Sequence, residues 1–486
     1  MFVAWEAALA IKNGSISALI CALGTLVSLL GGCAVEEGAS EDAAQSKSAL
    51  STATVQVRVR AGAANYVSVP TFADATCTLS SASSAAAGKT LVLHADADKL
   101  VSFQFKPDAA GTTTAFTLNC ENGPSAVSTY TVQLQASATA PALVPPTPKG
   151  QLRPALTGDL NAHTDNELVG AGYPPRPDPN LAPREYQAWV ADVSRPMIRV
   201  SSKLARHGKR VPVAPGACPG GWCTANWAGY VVRNHAPYLA TQGSWIVPAI
   251  TGERGSKSDD ALAWVGLGGF GEGGGGLWQA GTIQSAYWAD GGFVYDSTIW
   301  YELITTTGGC CPMVVFTGTP VMPGDEFSSS VWFGDAEGFF GITGDDDTQY
   351  LWAYYANVTQ GYSIITSRQV RDYIDNVYQQ PGCCISGING ATAQWIVERP
   401  YVGAGNGYPT PYTYLADFDT LQMTNAETFD ADTWSFRPYG DQSPLAVGMY
   451  HCTTANCSQI SLARPLATPS RGCENTSLTI RHRSSN

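Results

Sequence analysis

Short alternations of apolar and polar residues run along most of this chain, and they predict strands rather than helices. Val55, Val57 and Val59 alternate with Gln56, Arg58 and Arg60, and Tyr130, Val132 and Leu134 repeat the pattern further on. Side chains two apart share a face of a strand, so each run has one face to bury and one to wet. These runs bracket a small Ig-like β-sandwich over 54–138, with Cys77 and Cys120 as its staple. From Trp222 to about Asn425 the runs come closer together: Gly243-Ser244-Trp245-Ile246-Val247, Ala263-Trp264-Val265-Gly266, Ile299-Trp300-Tyr301-Glu302-Leu303, Ser330-Val331-Trp332-Phe333 and Gln394-Trp395-Ile396-Val397. Gly-rich turns separate them, which predicts two packed antiparallel sheets. Helical spacing is convincing at one place. Pro183 opens a segment in which Tyr186, Trp189, Val190 and Val193 fall at i, i+3, i+4 and i+7, one apolar stripe that must cover something.

Breaks in the pattern set the domain boundaries. Residues 1–33 carry Lys12, an apolar stretch from Ile16 to Leu30, and then Gly31-Gly32-Cys33. That is a lipoprotein-type signal segment, with the Cys33 thiol as the lipid attachment point; a plain cleaved signal is the alternative, and the apolar stretch is short for a membrane span. Residues 34–53 are a small, polar tether. Pro141, Pro145, Pro146, Pro148 and Pro154 open a linker over 139–215 that includes the predicted helix. Behind the helix, Lys203, Arg206, His207, Lys209 and Arg210 form a basic run, either a solvated connector or a prosegment that packs on the acidic domain and leaves it in acid. The large sandwich occupies 216–428, and 429–486 is a Cys-containing extension. The expected localisation is the cell envelope, lipid-anchored, or else secreted.

Composition sharpens this picture. Charged residues make up 14% of the 486, against 50 Gly, 21 Tyr and 13 Trp, which favours turn-rich, aromatic sheet and an all-β fold class. A formal charge of −12 offers no basic face to displace counterions, so nucleic acid is excluded as a partner. Thirteen cysteines in an exported chain imply disulfides, with Cys218, Cys223, Cys452 and Cys457 as candidates beside Cys77 and Cys120. The adjacent pairs Cys310-Cys311 and Cys383-Cys384 have no histidine at ligand spacing, and no metal or cofactor is expected. Asp345-Asp346-Asp347 reads as a solvated turn. There is no His-Glu-x-x-His helix, no Gly-x-Ser-x-Gly elbow and no phosphate-cradling loop, and His235 is the one histidine of the large sandwich.

What stands out is an ordered series of blocks: Asn226-Trp227-Ala228-Gly229, Gly243-Ser244-Trp245-Ile246-Val247-Pro248, Trp264-Val265-Gly266-Leu267-Gly268-Gly269, Leu277-Trp278-Gln279-Ala280-Gly281, Trp300-Tyr301-Glu302, Ala393-Gln394-Trp395-Ile396-Val397-Glu398, and Ala416-Asp417-Phe418 with Thr424-Asn425-Ala426. The series resembles the glutamic peptidases (eqolisins) in their order, over the C-terminal half. The resemblance implies a concanavalin-like two-sheet β-sandwich whose concave face binds a peptide or protein and cleaves it in acid. In that chemistry a glutamate takes a proton from the attacking water and a glutamine amide donates to the forming oxyanion.

Carried over position by position, the resemblance implies Gln279 as the catalytic glutamine, Glu302 as a further acid, and Trp264, Gly268, Trp300 and Glu398 as cleft residues. It also shows two departures. Gln394 stands where the family keeps its catalytic glutamate, and a neutral carboxamide has no useful basicity in this range. Gly268 stands where the family commonly continues to an aspartate. Glu398 lies four residues beyond Gln394, roughly 13 Å along a strand and too far to act on the same water. Glu302, from a neighbouring strand, is the better substitute. The sequence therefore carries two expectations: an acid endopeptidase with a relocated carboxylate, or a non-catalytic sandwich that binds peptide or carbohydrate at the cell surface.

Overall fold

A computed structural model describes residues 51–483 except 82–88, 124–125, 181, 202, 208–215, 219–220, 234–236, 252–257, 271–274, 290, 305–312, 373–387, 403–410, 433–434, 453–456 and 466–476. The signal segment with Cys33, His235, Lys209, Arg210 and the adjacent cysteine pairs lie outside the described residues. The side chains of Arg206, His207, Cys218, Cys452 and Cys457 do too. No helix among the described residues is long and apolar enough to cross a membrane.

Seven strands open the described chain: β1 (Ser51–Arg60), β2 (Asn65–Pro70), β3 (Thr76–Ser81), β4 (Thr90–His94), β5 (Leu100–Pro107), β6 (Thr113–Asn122) and β7 (Ala126–Ser137). Five of them form a sheet in the order β1-β7-β6-β3-β4, in which the two runs read from the sequence lie side by side and parallel, Val55 opposite Val132. The β2–β5 pair makes the second layer. Val59, Leu79, Phe116, Leu118 and Leu134 from the sheet meet Val67, Val69, Phe103 and Phe105 from the pair, the period-2 burial that the alternation predicts. Cys77 and Cys120 face each other in the β3–β6 register and are joined by a disulfide.

The connecting segment holds β8 (Gln151–Arg153), α1 (Asp165–Gly170), α2 (Pro183–Val193) and β9 (Met197–Arg199). A reciprocal cap starts α1: the Thr164 side chain accepts from the Glu167 amide, and the Glu167 carboxylate accepts from the Thr164 amide. Pro183 starts α2 at its first position, where a missing N–H costs nothing. Trp189 and Val193 are buried, as the stripe predicts; Glu185 is buried as well, which it does not predict.

The large sandwich is one winding of hydrogen-bonded strands. Its upper sheet contains β10 (Lys203–His207), β12 (Gly221–Thr224), β13 (Trp227–Val232), β15 (Asp259–Leu267), β16 (Leu277–Ala289), β17 (Gly292–Ile304), β18 (Met313–Thr317), β22 (Ala393–Glu398) and β26 (Leu445–Cys452). The order is β10-β18-β17-β16-β15-β22-β13-β26-β12, so the chain leaves one edge at β10 and re-enters at the other at β12. The lower sheet contains β14 (Tyr238–Ile246), β19 (Glu326–Gly334), β20 (Tyr350–Asn357), β21 (Tyr362–Gln369), β24 (Thr420–Asp430) and β28 (Leu478–His482), in the order β28-β24-β14-β19-β20-β21-β9-β8. Short strands β11 (Gly216–Cys218), β23 (Tyr414–Leu415) and β25 (Ser435–Pro438) flank these, and β27 (Cys457–Pro465) links β26 to β28. Residues 429–486 are therefore woven into both sheets: β26 pairs with β13, and β28 with β24.

Alternation assigns each upper strand two apolar faces. Trp245, Trp278, Tyr301, Trp395, Phe327 and Tyr355 meet between the sheets. On the other face of the upper sheet lie Trp227, Leu262, Trp264, Leu277, Trp300 and Ile396, a second buried layer. Strands buried on both faces read as near-continuous apolar runs, which is why β13, β15 and β22 alternate so weakly. The outer end of β17 pairs with β5, Val294 opposite Phe105, and Tyr287, Ala289 and Val294 enter the core of the small sandwich.

Candidate active site

Register puts four residues in one row across the second face of the upper sheet. Gly266 on β15 is opposite Gln279 on β16 and also opposite Gln394 on β22, and Gln279 is opposite Glu302 on β17. The row therefore reads Gln394, Gly266, Gln279, Glu302. At the strand spacing of about 4.8 Å, Gln394 and Gln279 stand roughly 10 Å apart at the backbone, and Glu302 is roughly 14 Å from Gln394. Gln279, Glu302 and Gln394 are each 0% exposed. The motif blocks thus converge, although three of them come from separated parts of the chain.

The Gln394 amide is held firmly. Its Nε2 donates to the Gly268 carbonyl and to Thr392 Oγ1, and Thr392 Oγ1 itself donates to the same Gly268 carbonyl at 3.0 Å. A backbone carbonyl only accepts, so this anchor fixes which end of the amide carries the hydrogens. Oε1 is turned the other way, 3.1 Å from where a Cβ on Gly266 would sit. Gly268 reaches this pose at φ +82°, the left-handed region that favours glycine, with its own amide donating to the Thr392 carbonyl at 2.8 Å.

Gln279 is held from its opposite side. Its Nε2 donates to Glu302 Oε2 at 2.8 Å, so the carboxylate engages the amide group that oxyanion chemistry would need. Glu302 flanks Gln279 on the side away from Gln394, so the row brings Glu302 to Gln279 and not to Gln394. Among the described residues, no group donates to Gln279 Oε1 or to Gln394 Oε1.

Glu398 lies under the row rather than in it. It accepts from Trp264 Nε1 at 2.9 Å and from Asn226 Nδ2 at 3.1 Å, and so fixes the Trp264 ring. Trp264 meets Trp227 edge to face with centroids 5.2 Å apart, and Phe270 and Trp222 continue the aromatic layer. Trp300 is buried in the same layer, on β17 opposite Gly281. Of the remaining cysteine candidates, Cys223 is disulfide-bonded.

The outer face of the lower sheet carries polar groups that sequence reasoning missed. Glu427 on β24 is buried and accepts from Gln242 Nε2 at 2.7 Å. Burial pushes its carboxyl up to about 7, and the negative charge of Glu185 on α2 adds to this, against the pull of the Gln242 hydrogen bond and Arg184. Burial also raises the Asp192 carboxyl, opposed by nearby Arg153, and Asp192 accepts from Tyr354 at 2.9 Å. A cavity of about 290 Å³ lies beside these groups, lined by Trp189, Asp192, Gln242, Ser244, Ser330 and Trp332. No motif marks either acid, because each depends on α2 docking against strands far away in the chain.

Comparison with known proteins agrees with the series of blocks. The profile of the Peptidase A4 family matches residues 225–443. Among solved structures, scytalido-glutamic peptidase with a transition-state analogue inhibitor is 16% identical, covering 53% of this chain and 98% of that one, at a TM-score of 0.36. SCP-B, an eqolisin-family peptidase in complex with the tripeptide Ala-Ile-His, is 14% identical over 53% of this chain and 98% of its own, at a TM-score of 0.33. Aspergilloglutamic peptidase from Aspergillus niger is 20% identical over 46% and 99%, at a TM-score of 0.28. No curated protein matches the chain. Residues 225–443, which hold the row from Gln394 to Glu302, thus match the Peptidase A4 family, the glutamic peptidases.

Proposed function

We propose that the large sandwich is a glutamic-peptidase relative that holds peptide in its cleft without cleaving it. One observation carries this reading: the Gln394 amide, at the position of the family glutamate, spends both N–H groups on Gly268 and Thr392 and offers the cleft only a weakly basic oxygen. A water between Gln394 and Gln279 has no base to take its proton. Gln279 Nε2 gives one of its two N–H groups to Glu302 and keeps the other for an oxyanion, so the missing base at 394 is what silences the site. Glu302 is set to orient Gln279 and stands on its far side from Gln394, outside hydrogen-bond reach of a water at the family position.

Hydrolysis of an unfolded protein at acid pH tests the reading, with the unmodified chain run beside Gln394→Glu and Glu302→Gln. The expected result is an inert natural protein and measurable cleavage in Gln394→Glu. Cleavage by the natural protein that Glu302→Gln abolishes would instead establish an acid endopeptidase with a relocated carboxylate. We also propose that the protein is exported and held at the envelope through Cys33, on the strength of the apolar stretch ending in Gly31-Gly32-Cys33. Mass spectrometry of the mature N-terminus checks this: a diacylated Cys33 supports it, and an intact Met1 overturns it.

A further inference from the structure

The outer face of the lower sheet carries a ladder of small polar side chains, and a cavity stands over it. Gln242 on β14 lies opposite Ser330 on β19, and Ser244 lies opposite Ser328. Ser328 and Ser330 are two apart and share this face, whereas Ser329 between them is buried and donates to the Ala280 carbonyl. The Ser244 and Ser328 hydroxyls are 2.8 Å apart, and Ser330 Oγ donates to Gln242 Oε1 at 3.4 Å. Neutral polar groups thus pave the floor of the cavity of about 290 Å³.

The walls are of another kind. Trp189 from α2, Trp332 from β19 and Phe436 from β25 supply apolar surface. Asp192, also from α2, spends Oδ2 on the Tyr354 hydroxyl, and its Oδ1 has no hydrogen-bond partner among the described residues. Exposed Ala191, Arg195, Glu326 and Asn425 line the cavity too, so it opens to solvent. A hydrogen-bonding floor, an apolar wall and a spare carboxylate oxygen describe a ligand with hydroxyls on its edge and C–H groups on its faces. The volume is at the lower end of small-molecule sites, which begin at roughly 300 Å³.

We propose that this cavity binds a neutral saccharide of one or two rings. Serine hydroxyls and a carboxamide both give and accept, as sugar hydroxyls do, and the free carboxylate oxygen accepts from them. The C–H face of a sugar ring matches the side formed by Trp189, Trp332 and Phe436. An anion would meet Asp192 and Glu326. A cation finds those charges offset by Arg195 and by Arg153, which shares the Tyr354 hydroxyl with Asp192. An extended peptide finds no backbone partners here, because β14 is paired on both sides with β24 and β19, and β19 with β14 and β20. The site is on the other sheet from Gln394, and it stands whether or not the upper cleft holds peptide.

Saturation-transfer NMR of the full chain at neutral pH tests this. The neutral probes are maltose, cellobiose, lactose, mannobiose, xylobiose and N,N′-diacetylchitobiose; glucuronic acid and the deacetylated chitobiose are the charged ones. A neutral disaccharide is expected to bind, and hydrogen exchange in its presence is expected to slow in residues 186–195 and 326–332. By calorimetry, Asp192→Asn should weaken that sugar at least about tenfold, the scale of a hydrogen bond to a charged acceptor. Ser330→Ala should weaken it about threefold while leaving the Asp192–Tyr354 contact in place, so a folding defect in the first variant does not decide the result. Binding of the charged probes alone overturns the neutral-sugar assignment. Slowing confined to residues 277–281 and 393–398 puts the sugar on the upper sheet and overturns the site. Binding that neither variant weakens, or binding of none of the neutral probes, overturns the proposal outright.

Discussion

Two faces of the same sandwich bury polar groups, and they do so in opposite ways. On the upper sheet, Gln279 and Gln394 are neutral amides pinned by fixed acceptors. On the outer side of the lower sheet, Glu427 on β24 and Asp192 on α2 are carboxyls whose proton affinity is raised by burial. Perturbed acidity alone would single out Glu427 and, on β17, Asp296, whose carboxyl burial also pushes up to about 7, and would pass over the row. The lower face lacks a row like that of the first, since Glu427 is bound to a single amide, Gln242, beside a ladder of serines. The difference teaches that a shifted carboxyl marks a desolvated place, whereas the row is recognised by its register across four strands.

The comparison can be broken most forcefully at position 394. Gln394→Glu is expected to raise the acid-pH rate on an unfolded protein by about 10² to 10⁴-fold, the usual worth of a general base, in a steady-state assay. A flat result would show that Gln279 no longer serves as an oxyanion donor. Next in size is Trp264→Ala, which removes a fully buried ring and leaves Glu398 without one of its donors. A loss of about 3–5 kcal/mol is expected from denaturant unfolding.

A third test concerns the lower face. An unfolded glutamate gives up its proton near 4.5, whereas Glu427 keeps its proton up to about 7 in the folded chain. Between these values the folded state binds the extra proton, so stability rises as pH falls from about 7 to about 4.5, by roughly 3 kcal/mol. Thermal unfolding across that window should show the slope, and Glu427→Gln should flatten it. Protonation also relieves repulsion with Glu185, so acid tightens the seat of α2 on this face. A prosegment shed in acid predicts loosening there, which hydrogen exchange of residues 183–193 at pH 4 and pH 8 would register. The smallest expected effect is that of Gly266→Ala. Its methyl would crowd the Trp264 ring and Gln394 Oε1, and denaturant unfolding is expected to show a loss of about 1–3 kcal/mol from overpacking.

Much of the first face was legible in the sequence. The alternation of Leu262, Trp264 and Gly266 against Ala263, Val265 and Leu267 gives the two faces of β15, and the block order brings Gln279, Glu302 and Gln394 together. The order within the row was not legible. Register between strands is set by turns and by packing of both faces, so whether Glu302 neighbours Gln394 or Gln279 depends on residues far from either. The lower face was hidden for a related reason. Glu185 precedes the apolar stripe of α2 by one position and looks like a solvated first-turn acid, yet it is buried and its charge acts on Glu427 far away in the chain. The segment 429–486 offered few periodic cues, and its strands are specified by partners already in place: β13 for β26, and β24 for β28.

The pairing of β17 with β5 has a mechanical side. The β16–β17 hairpin runs thirteen residues on each arm, carrying Gln279 and Glu302 toward one end and Tyr287, Ala289 and Val294 into the small sandwich at the other. Four register pairs between β5 and β17 fix the outer end of the hairpin to the small sandwich. The hairpin then acts as a stiff rod set in two blocks. A displacement of the small sandwich along that rod is delivered to the Gln279–Glu302 contact, while Gln394, on β22 and anchored to Gly268, stays with the large sandwich.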